Sequence, residues 1–558
     1  MKQIQITLLS MLFILTAPHL GTSQSLAGYQ LVAGSDVEDL AKGIRPEAIR
    51  AHIMFLADDA LEGRGTGSRG YELAAKYLRS QLMASGISGA ADDGAYFQKV
   101  PLIRTIVDEA GTTIDFGTGD QLQCGKDFLL LDTHRNVEGG ASAKVVFVGY
   151  GVTAPEFGYD DYSGLDVRGA IVAFLDWEAP ASFPPTMRAY YCDHDVKVAT
   201  AAKHGAVGAL YVRSPEIEKM FSWDSMVREL QIGWNSLRWI KENQEPSGIS
   251  NDIKIMGMLN RSGADMLFAG EEHEFESILT KRKKDGPPRF ALSKTVTVRY
   301  RARHKRMECV NVVAQLKGSH ARLKDEYVVY SAHADHLGIG PKIDGDSIYN
   351  GAVDNASGCA ALLEVARAFA ELRMRPKRSI LFVMPTAEEA GLLGSDYFAN
   401  NPTVPIESIV ANINLDGICP LTPVVDVIPW GAEHSTIGTT VEHVGNKLDI
   451  VVSPDPFPEE GMFVRADQFS FVKRGIPSVF LGAGVNSRIP NVDALAIHKE
   501  WLVTKYHSPK DDTSQSLQYE TGVQHSKFAF VLGYTIATES QRPRWNKDDF
   551  FGSKFGRR

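Results

Sequence analysis

Cysteine is scarce in this chain: five among 558 residues, at Cys124, Cys192, Cys309, Cys359 and Cys419. An odd count excludes complete internal pairing and leaves at least one thiol free unless it bonds another chain. Long apolar runs are also lacking. Beyond the N-terminal stretch, nothing approaches the roughly 20 apolar residues of a membrane-spanning helix, so no stable membrane insertion is expected. The excess of negative charge is small, a net −9, and gives no electrostatic reason to expect nucleic acid or an anionic membrane as a partner. Two motifs are present only in part. Gly65-Thr66-Gly67-Ser68-Arg69-Gly70 fits a dinucleotide fingerprint, but no buried strand precedes it, so it reads as a turn and helix start. His273-Glu274 lacks a second His four residues after the first, which excludes a zincin helix and leaves a solvated acidic face.

The rest of the composition is ordinary for a protein with a sizeable core, 44% hydrophobic and 23% charged, and the length calls for at least two domains. Lys2, the apolar stretch from Leu8 to Ala17 and the small residues through Ser25 and Ala27 have the pattern of a secretory signal peptide over 1–27. A secreted or periplasmic location is the expectation.

The second half of the chain carries the chemistry. His333, Asp354, Glu389, Asp416 and His507 fall at the ends of successive hydrophobic runs, with Glu388 beside Glu389. Tyr327-Val328-Val329-Tyr330 leads into His333, Ile380-Leu381-Phe382-Val383-Met384 leads to Glu388-Glu389, and Ile409-Val410-Ala411 runs on through Leu415 to Asp416. Near-continuous apolar runs of this length predict strands buried on both faces. Between them, apolar residues at helical spacing over 357–372 predict a helix that Ser357 can cap. Alternating strand and helix implies an α/β fold with a mixed, mostly parallel sheet flanked by helices, in which ligands bind outside the carboxyl ends of the strands.

Taken singly, each residue has a plainer role. A His at a strand end is more often a hydrogen-bonded structural residue, and His336, His434 and His498 are placed there. An Asp ending a strand is commonly a turn or helix-cap residue, and adjacent glutamates are commonly a solvated pair. Together, five donors of this mix suit a pair of cations. One bridging carboxylate offsets the repulsion between them, and one His and one further carboxylate close each side. Imidazole with carboxylate suits Zn²⁺ best, with Co²⁺ or Mn²⁺ as alternatives.

The strings His333-Ala334-Asp335-His336-Leu337-Gly338, Asp354-Asn355-Ala356-Ser357-Gly358, Glu388-Glu389-Ala390-Gly391-Leu392, Asn414-Leu415-Asp416 and Tyr506-His507-Ser508-Pro509 resemble, in order and residue type, the M28 family of zinc peptidases of the aminopeptidase Y kind. Leu56-Ala57-Asp58-Asp59-Ala60-Leu61-Glu62-Gly63-Arg64-Gly65 looks like the opening of members that carry an inserted protease-associated domain. The resemblance implies two Zn²⁺ per chain. Asp354 would bridge, His333 and Asp416 would complete one metal, and Glu389 and His507 the other. It implies Glu388 as general base, Asp335 as acceptor for the second N–H of His333, and Tyr506 as a donor to the oxyanion of the tetrahedral intermediate. Cys359 and Cys419 are small buried residues near this site rather than ligands. One departure stands out: where many relatives read Ser-Asp-His, this chain has Ala466-Asp467-Gln468, which affects the substrate pocket rather than hydrolysis.

Short strands with Gly and aromatic turns over 139–294 resemble the protease-associated insert, splitting a zinc-exopeptidase catalytic domain into 36–136 and 295–541. The implied activity is a metallo-aminopeptidase with peptide substrates. The alternatives are a carboxypeptidase or glutaminyl cyclase of the same family, and a receptor-like ectodomain that binds without catalysis.

Overall fold

In the computed structural model the described residues are 35–557, apart from 118–120, 132, 234, 235 and 249. The expected signal peptide over 1–27 lies outside them.

One 27-residue strand, Phe290–Leu316, is shared by two sheets. Its first half alternates, with Val296, Val298, Tyr300 and Ala302 buried and the residues between them turned outward, as a strand with one solvated face requires. Its second half enters the interior, where Val312, Val313 and Ala314 are all fully buried.

The sheet built on that second half holds the strands expected to carry the site. Ser379–Met384 pairs antiparallel with Phe290–Leu316 and parallel with Tyr327–Ser331, which in turn runs parallel to Ile409–Leu415. Ser478–Ala483 continues the parallel run, and Asp426–Trp430 closes it antiparallel. The sheet is thus mixed and mostly parallel at its centre. Both of its faces are covered. Helices Gly358–Ala370 and Tyr519–Thr538 pack with Tyr330, Phe382 and Ile413 on one side, and Leu393–Asn400 and Gln468–Val472 pack through Phe398 and Phe471 with Val329, Leu381 and Val383 on the other. Burial on both faces is the reason these strands read as unbroken apolar runs.

Tyr327–Ser331 lies between the two strands that follow it in sequence, Ser379–Met384 on one side and Ile409–Leu415 on the other. The direction of winding therefore reverses here, which opens a crevice at the carboxyl ends of all three strands.

The expected helix over 357–372 is Gly358–Ala370, preceded by a wide turn over Ala352–Ser357. Ser357 does not cap it. Its hydroxyl donates to the Val353 carbonyl at 2.7 Å and accepts the N–H of Ile418 at 3.1 Å, joining the turn that carries Asp354 to the strand end that carries Asp416. Gly358 is required at this junction, because a Cβ there would lie 2.1 Å from Asn355 Oδ1 and 2.3 Å from the Leu415 carbonyl. The glycine-rich stretch before Arg69–Ala84 is a helix start, with Ser68 accepting the N–H of Tyr71 at 3.1 Å.

The second sheet orders Glu138–Phe147, Ile171–Leu175, Gly208–Val212 and Ile255–Leu259 in parallel, over two further hydrophobic clusters, one of which also takes in Ile428, Trp430 and Phe480 of the first sheet. It also takes in Thr113–Asp115 and Phe128–Leu130, which lie before residue 139. Conversely Leu237–Trp239, inside 139–294, pairs with Phe97–Val107 of the first sheet. Strand pairing thus crosses both expected boundaries, because partners over a hundred residues apart leave no local pattern in the chain. All five cysteines are free thiols. Among the described residues, no helix is long and apolar enough to cross a membrane.

Candidate metal centre at the strand ends

Three neighbouring parallel strands deliver donors at their carboxyl ends: His333 two residues after Ser331, Glu388 and Glu389 after Met384, and Asp416 directly after Leu415. The turn Ala352–Ser357 supplies Asp354, and the loop after helix Ala494–Thr504 supplies His507. The structure brings all six side chains into one cluster.

Asp354 occupies its centre. Its Oδ1 lies 3.2 Å from His333 Nε2, and its Oδ2 lies 3.5 Å from His507 Nε2, so the two oxygens of one carboxylate face opposite imidazoles. On the first side His333 Nε2 is 3.5 Å from Asp416 Oδ2 and 4.0 Å from Glu388 Oε2. On the second, His507 Nε2 is 3.0 Å from Glu389 Oε2 and has no hydrogen bond of its own despite its burial. Donor atoms of His333, Asp354 and Glu389, and again of His333, Glu388 and Asp416, lie within 4.8 Å of one another. Four carboxylates packed against neutral imidazoles in a buried cleft are electrostatically unfavourable unless protons or cations balance them. This donor set, with an orphaned imidazole nitrogen aimed into it, fits divalent metal of the Zn²⁺ type.

The charge distribution agrees. Burial works against ionisation of Asp354, but the His333 and His507 imidazoles facing its two oxygens outweigh it and hold the carboxyl well below its usual range. Burial and Asp354 also oppose ionisation of Glu389, and His507 and His336 overcome them, holding it at about 2. Glu388 goes the other way. Burial pushes it well above the usual range and Glu389, Asp467 and Asp416 add to the shift, against the pull of His333.

Around the donors the structure departs from the expected contacts in informative ways. Asp335 does not use its carboxylate on His333. His333 Nδ1 lies 3.2 Å from the main-chain oxygen of Asp335, whose nearest carboxylate oxygen is 4.0 Å away. That carboxylate instead accepts the N–H of Glu388 and the hydroxyl of Thr66, both at 3.2 Å, so it holds the backbone of the proposed base. His336, placed by sequence among the structural histidines, is hydrogen-bonded within the cluster, Nδ1 to Glu389 Oε1 at 2.6 Å. His434 pairs with Asp549 at 2.7 Å, and His498 packs between Phe457 and Trp501. Tyr506 stacks on His507 with ring centroids 3.8 Å apart, and its burial raises the phenol above its ordinary range, so it remains a proton donor.

Three residues escaped the sequence reading. Arg64, fully buried, donates to the carbonyls of Leu56, Ala334, Asn350 and Gly351, pinning the loops that carry His333 and Asp354. Asp511 accepts the N–H groups of Val353 and Asp354. Glu229 places its Oε1 3.1 Å from His507 Nδ1. The Glu62-Gly63-Arg64-Gly65 string and the Asp511-Asp512 pair were available as signals for the first two. Nothing local pointed to Glu229.

Beside the donors lies a cavity of about 150 Å³ lined by Leu421, Trp430, Phe480, Ile497, Trp501 and Leu502, with Asp354, Glu388 and Asp416 at one wall and Glu460, Arg465 and Tyr506 also facing it. Ala466 lines this cavity. Gln468 is not part of the lining and is engaged elsewhere, accepting from Asn414 at 3.0 Å and donating to the Phe463 carbonyl at 2.7 Å. The departure from the Ser-Asp-His pattern therefore touches the pocket through Ala466.

Fold and donor set together define the class: an α/β sheet with a metal-binding carboxylate and imidazole cluster at its winding reversal. Residues 311–531 match the profile of Peptidase family M28, and the chain carries a domain of that family there. Over 105 residues it is 42% identical to a probable zinc metalloprotease of Pyrenophora teres f. teres, covering 19% of this chain and 22% of that protein. Over 218 residues it is 31% identical to the probable glutamate carboxypeptidase AMP1 of Arabidopsis thaliana, covering 36% and 28%. The chain thus spans less than a third of the length of these two relatives. Among solved structures, the aminopeptidase from Aneurinibacillus sp. strain AM-1 superposes with a TM-score of 0.52 at 18% identity, covering 91% of this chain and 97% of that one, a likeness of fold.

Proposed function

We propose that the protein is a zinc-dependent exopeptidase that removes the N-terminal residue from peptides. The observation that carries this reading is Asp354, whose two oxygens face His333 on one side and His507 on the other, the disposition a carboxylate shared between two cations requires. His333 and Asp416 would hold one Zn²⁺, and Glu389 and His507 the other. When bound, such a pair lowers the pKa of water towards neutrality and polarises the scissile carbonyl.

The remaining roles fall to the chain itself. Glu388, at the cavity wall and with its backbone held by Asp335, takes the proton from the attacking water and returns it to the leaving amine. Tyr506 donates a hydrogen bond to the developing oxyanion from its place against His507. The apolar cavity excludes water and accepts an apolar side chain, while Asp354, Glu388 and Asp416 make its wall at the donors acidic, which suits a free ammonium group. We assign the second lobe, residues 139–294 in outline, as the protease-associated insert. Export through the N-terminal leader belongs to the same proposal.

A carboxypeptidase is the second reading, favoured by Arg465, the sole Lys or Arg among the residues lining the cavity. A peptide library carrying either a blocked N-terminus or an amidated C-terminus, incubated with zinc-loaded protein, separates the two. Cleavage that survives C-terminal amidation and is lost on N-acetylation supports the aminopeptidase. The opposite pattern replaces it with the carboxypeptidase, and a zinc-replete preparation inert towards both sets sinks the exopeptidase.

A further inference from the structure

Helix Trp223–Ile232 belongs to the second lobe, yet it is anchored in both. At its start Trp223 and Met226 are buried in the core of the second sheet, and the indole N–H of Trp223 donates to the Gly125 carbonyl at 3.0 Å. At its end Ile232 packs against Gly340, and the Ile232 carbonyl accepts from Arg104 of the first sheet at 3.3 Å. The chain then runs into Leu237–Trp239, paired with Phe97–Val107, where the indole N–H of Trp239 donates to Asp396 at 2.8 Å. Between these anchors, Glu229 presents its carboxylate 3.1 Å from Nδ1 of His507.

We propose that Glu229 is a positioning residue of the metal centre, through which the second lobe fixes one of its two sides. A neutral imidazole carries a single N–H. With that proton on Nδ1 and donated to Glu229, Nε2 keeps its lone pair and faces Glu389 and Asp354, the tautomer a metal ligand must adopt. His507 needs such an outside partner, because it sits in a loop with φ +53° rather than on a strand. The two sides of the centre are thus built differently. His333 has its Nδ1 against the carbonyl of Asp335, two residues along its own loop, whereas His507 relies on a residue 278 positions away. The lobe is then part of the metal site, and loosening its packing on the first sheet weakens one metal and leaves the other. This inference rests on the two-metal reading above.

The test uses the full chain, stripped of metal and titrated with Zn²⁺ against a competing chelator, for the wild type, Glu229→Ala, Glu229→Gln and, as a control on the exposed side of the same helix, Asp224→Ala. We expect two zinc equivalents in the wild type and in the control. In Glu229→Ala one equivalent weakens by about 10–100-fold and the other is unchanged. Glu229→Gln, which keeps an acceptor oxygen, recovers most of the loss, and the thermal midpoints of the metal-free variants stay together. Wild-type affinity for both equivalents in Glu229→Ala overturns this inference alone. So does an equal loss in both Glu229 variants accompanied by a lowered metal-free midpoint, which marks a merely structural contact. A wild-type chain that takes up no zinc overturns the metal reading with it.

Discussion

The carboxylate of Asp511 accepts the main-chain N–H of Asp354 at 3.0 Å and that of Val353 at 3.1 Å. Asp511 follows His507 by four residues, so this contact ties the turn holding the central donor to the loop holding the most distant one. Charge-assisted bonds of this kind are worth about 1.5–3 kcal/mol each when buried. Asp511→Ala should therefore lower unfolding free energy by roughly that amount and weaken zinc uptake, as read from urea midpoints and metal content. A variant with wild-type stability and zinc content contradicts the structural role assigned to this contact.

Arg64 does the same for the loops that carry His333 and Asp354. Its guanidinium donates to Ala334 at 3.1 Å, Asn350 at 2.6 Å and Gly351 at 3.0 Å, and to Leu56. Arg64→Ala leaves buried carbonyls without donors and should cost about 3 kcal/mol or more. Arg64→Lys should recover only part of it, since an ammonium cannot reproduce a planar fork of donors. Denaturant unfolding of both variants checks the order.

Glu388→Gln keeps the shape of the side chain and removes its basicity. Peptide cleavage should fall by about 10²–10⁴-fold, with zinc stoichiometry unchanged by elemental analysis. If the zinc is lost as well, Glu388 is a ligand rather than the base.

In the metal-free chain, stability should fall as pH rises. Burial pushes Asp335 and Asp511 up to about 6, so between their unfolded value near 3.8 and pH 6 the folded state holds protons that the unfolded chain releases. Burial acts to lower His333 and His507, but the acidic groups facing them win and raise both well above 6.5. Their stabilisation is complete below that value and is lost as pH climbs through the folded one. Glu389, held at about 2, contributes oppositely, but only below its ordinary 4.5. Zinc needs ionised carboxylates and neutral imidazoles, so the stabilisation it adds should grow with pH. Urea midpoints at pH 5 and pH 8, with chelator and with Zn²⁺, measure both slopes.

Gly482 lines the cavity, and a Cβ there would lie 2.2 Å from Cζ3 of Trp430. Gly482→Ala should displace that ring and narrow the pocket, lowering kcat/KM for a bulky apolar side chain by about 10–200-fold relative to a small one. Steady-state kinetics on a matched leucyl and alanyl substrate pair reports the ratio directly.

Local pattern was enough to place Tyr327–Ser331, Ser379–Met384 and Ile409–Leu415 as strands, and to nominate the donors that follow them. Burial on both faces writes itself into a strand as an unbroken apolar run, and a donor needed at a strand's end must be adjacent to it in the chain. The start of helix Gly358–Ala370 was less legible. Ser357 has the residue type of a cap, but its hydroxyl bridges Val353 and Ile418, a use that depends on where the neighbouring strand ends.

What the sequence alone determined is the chemistry available: imidazoles and carboxylates of the right kinds, with His333, Glu388, Glu389 and Asp416 set at the mouths of buried parallel strands. Tertiary structure decided how they are oriented. That Asp335 holds the backbone of Glu388 rather than the ring of His333, that His336 reaches Glu389, and that Glu229 of another lobe meets His507 all follow from contacts between segments distant in sequence. Such contacts are selected by the packing of whole elements, and a periodicity of two or 3.6 residues carries no record of which partner a side chain will meet once those elements have docked.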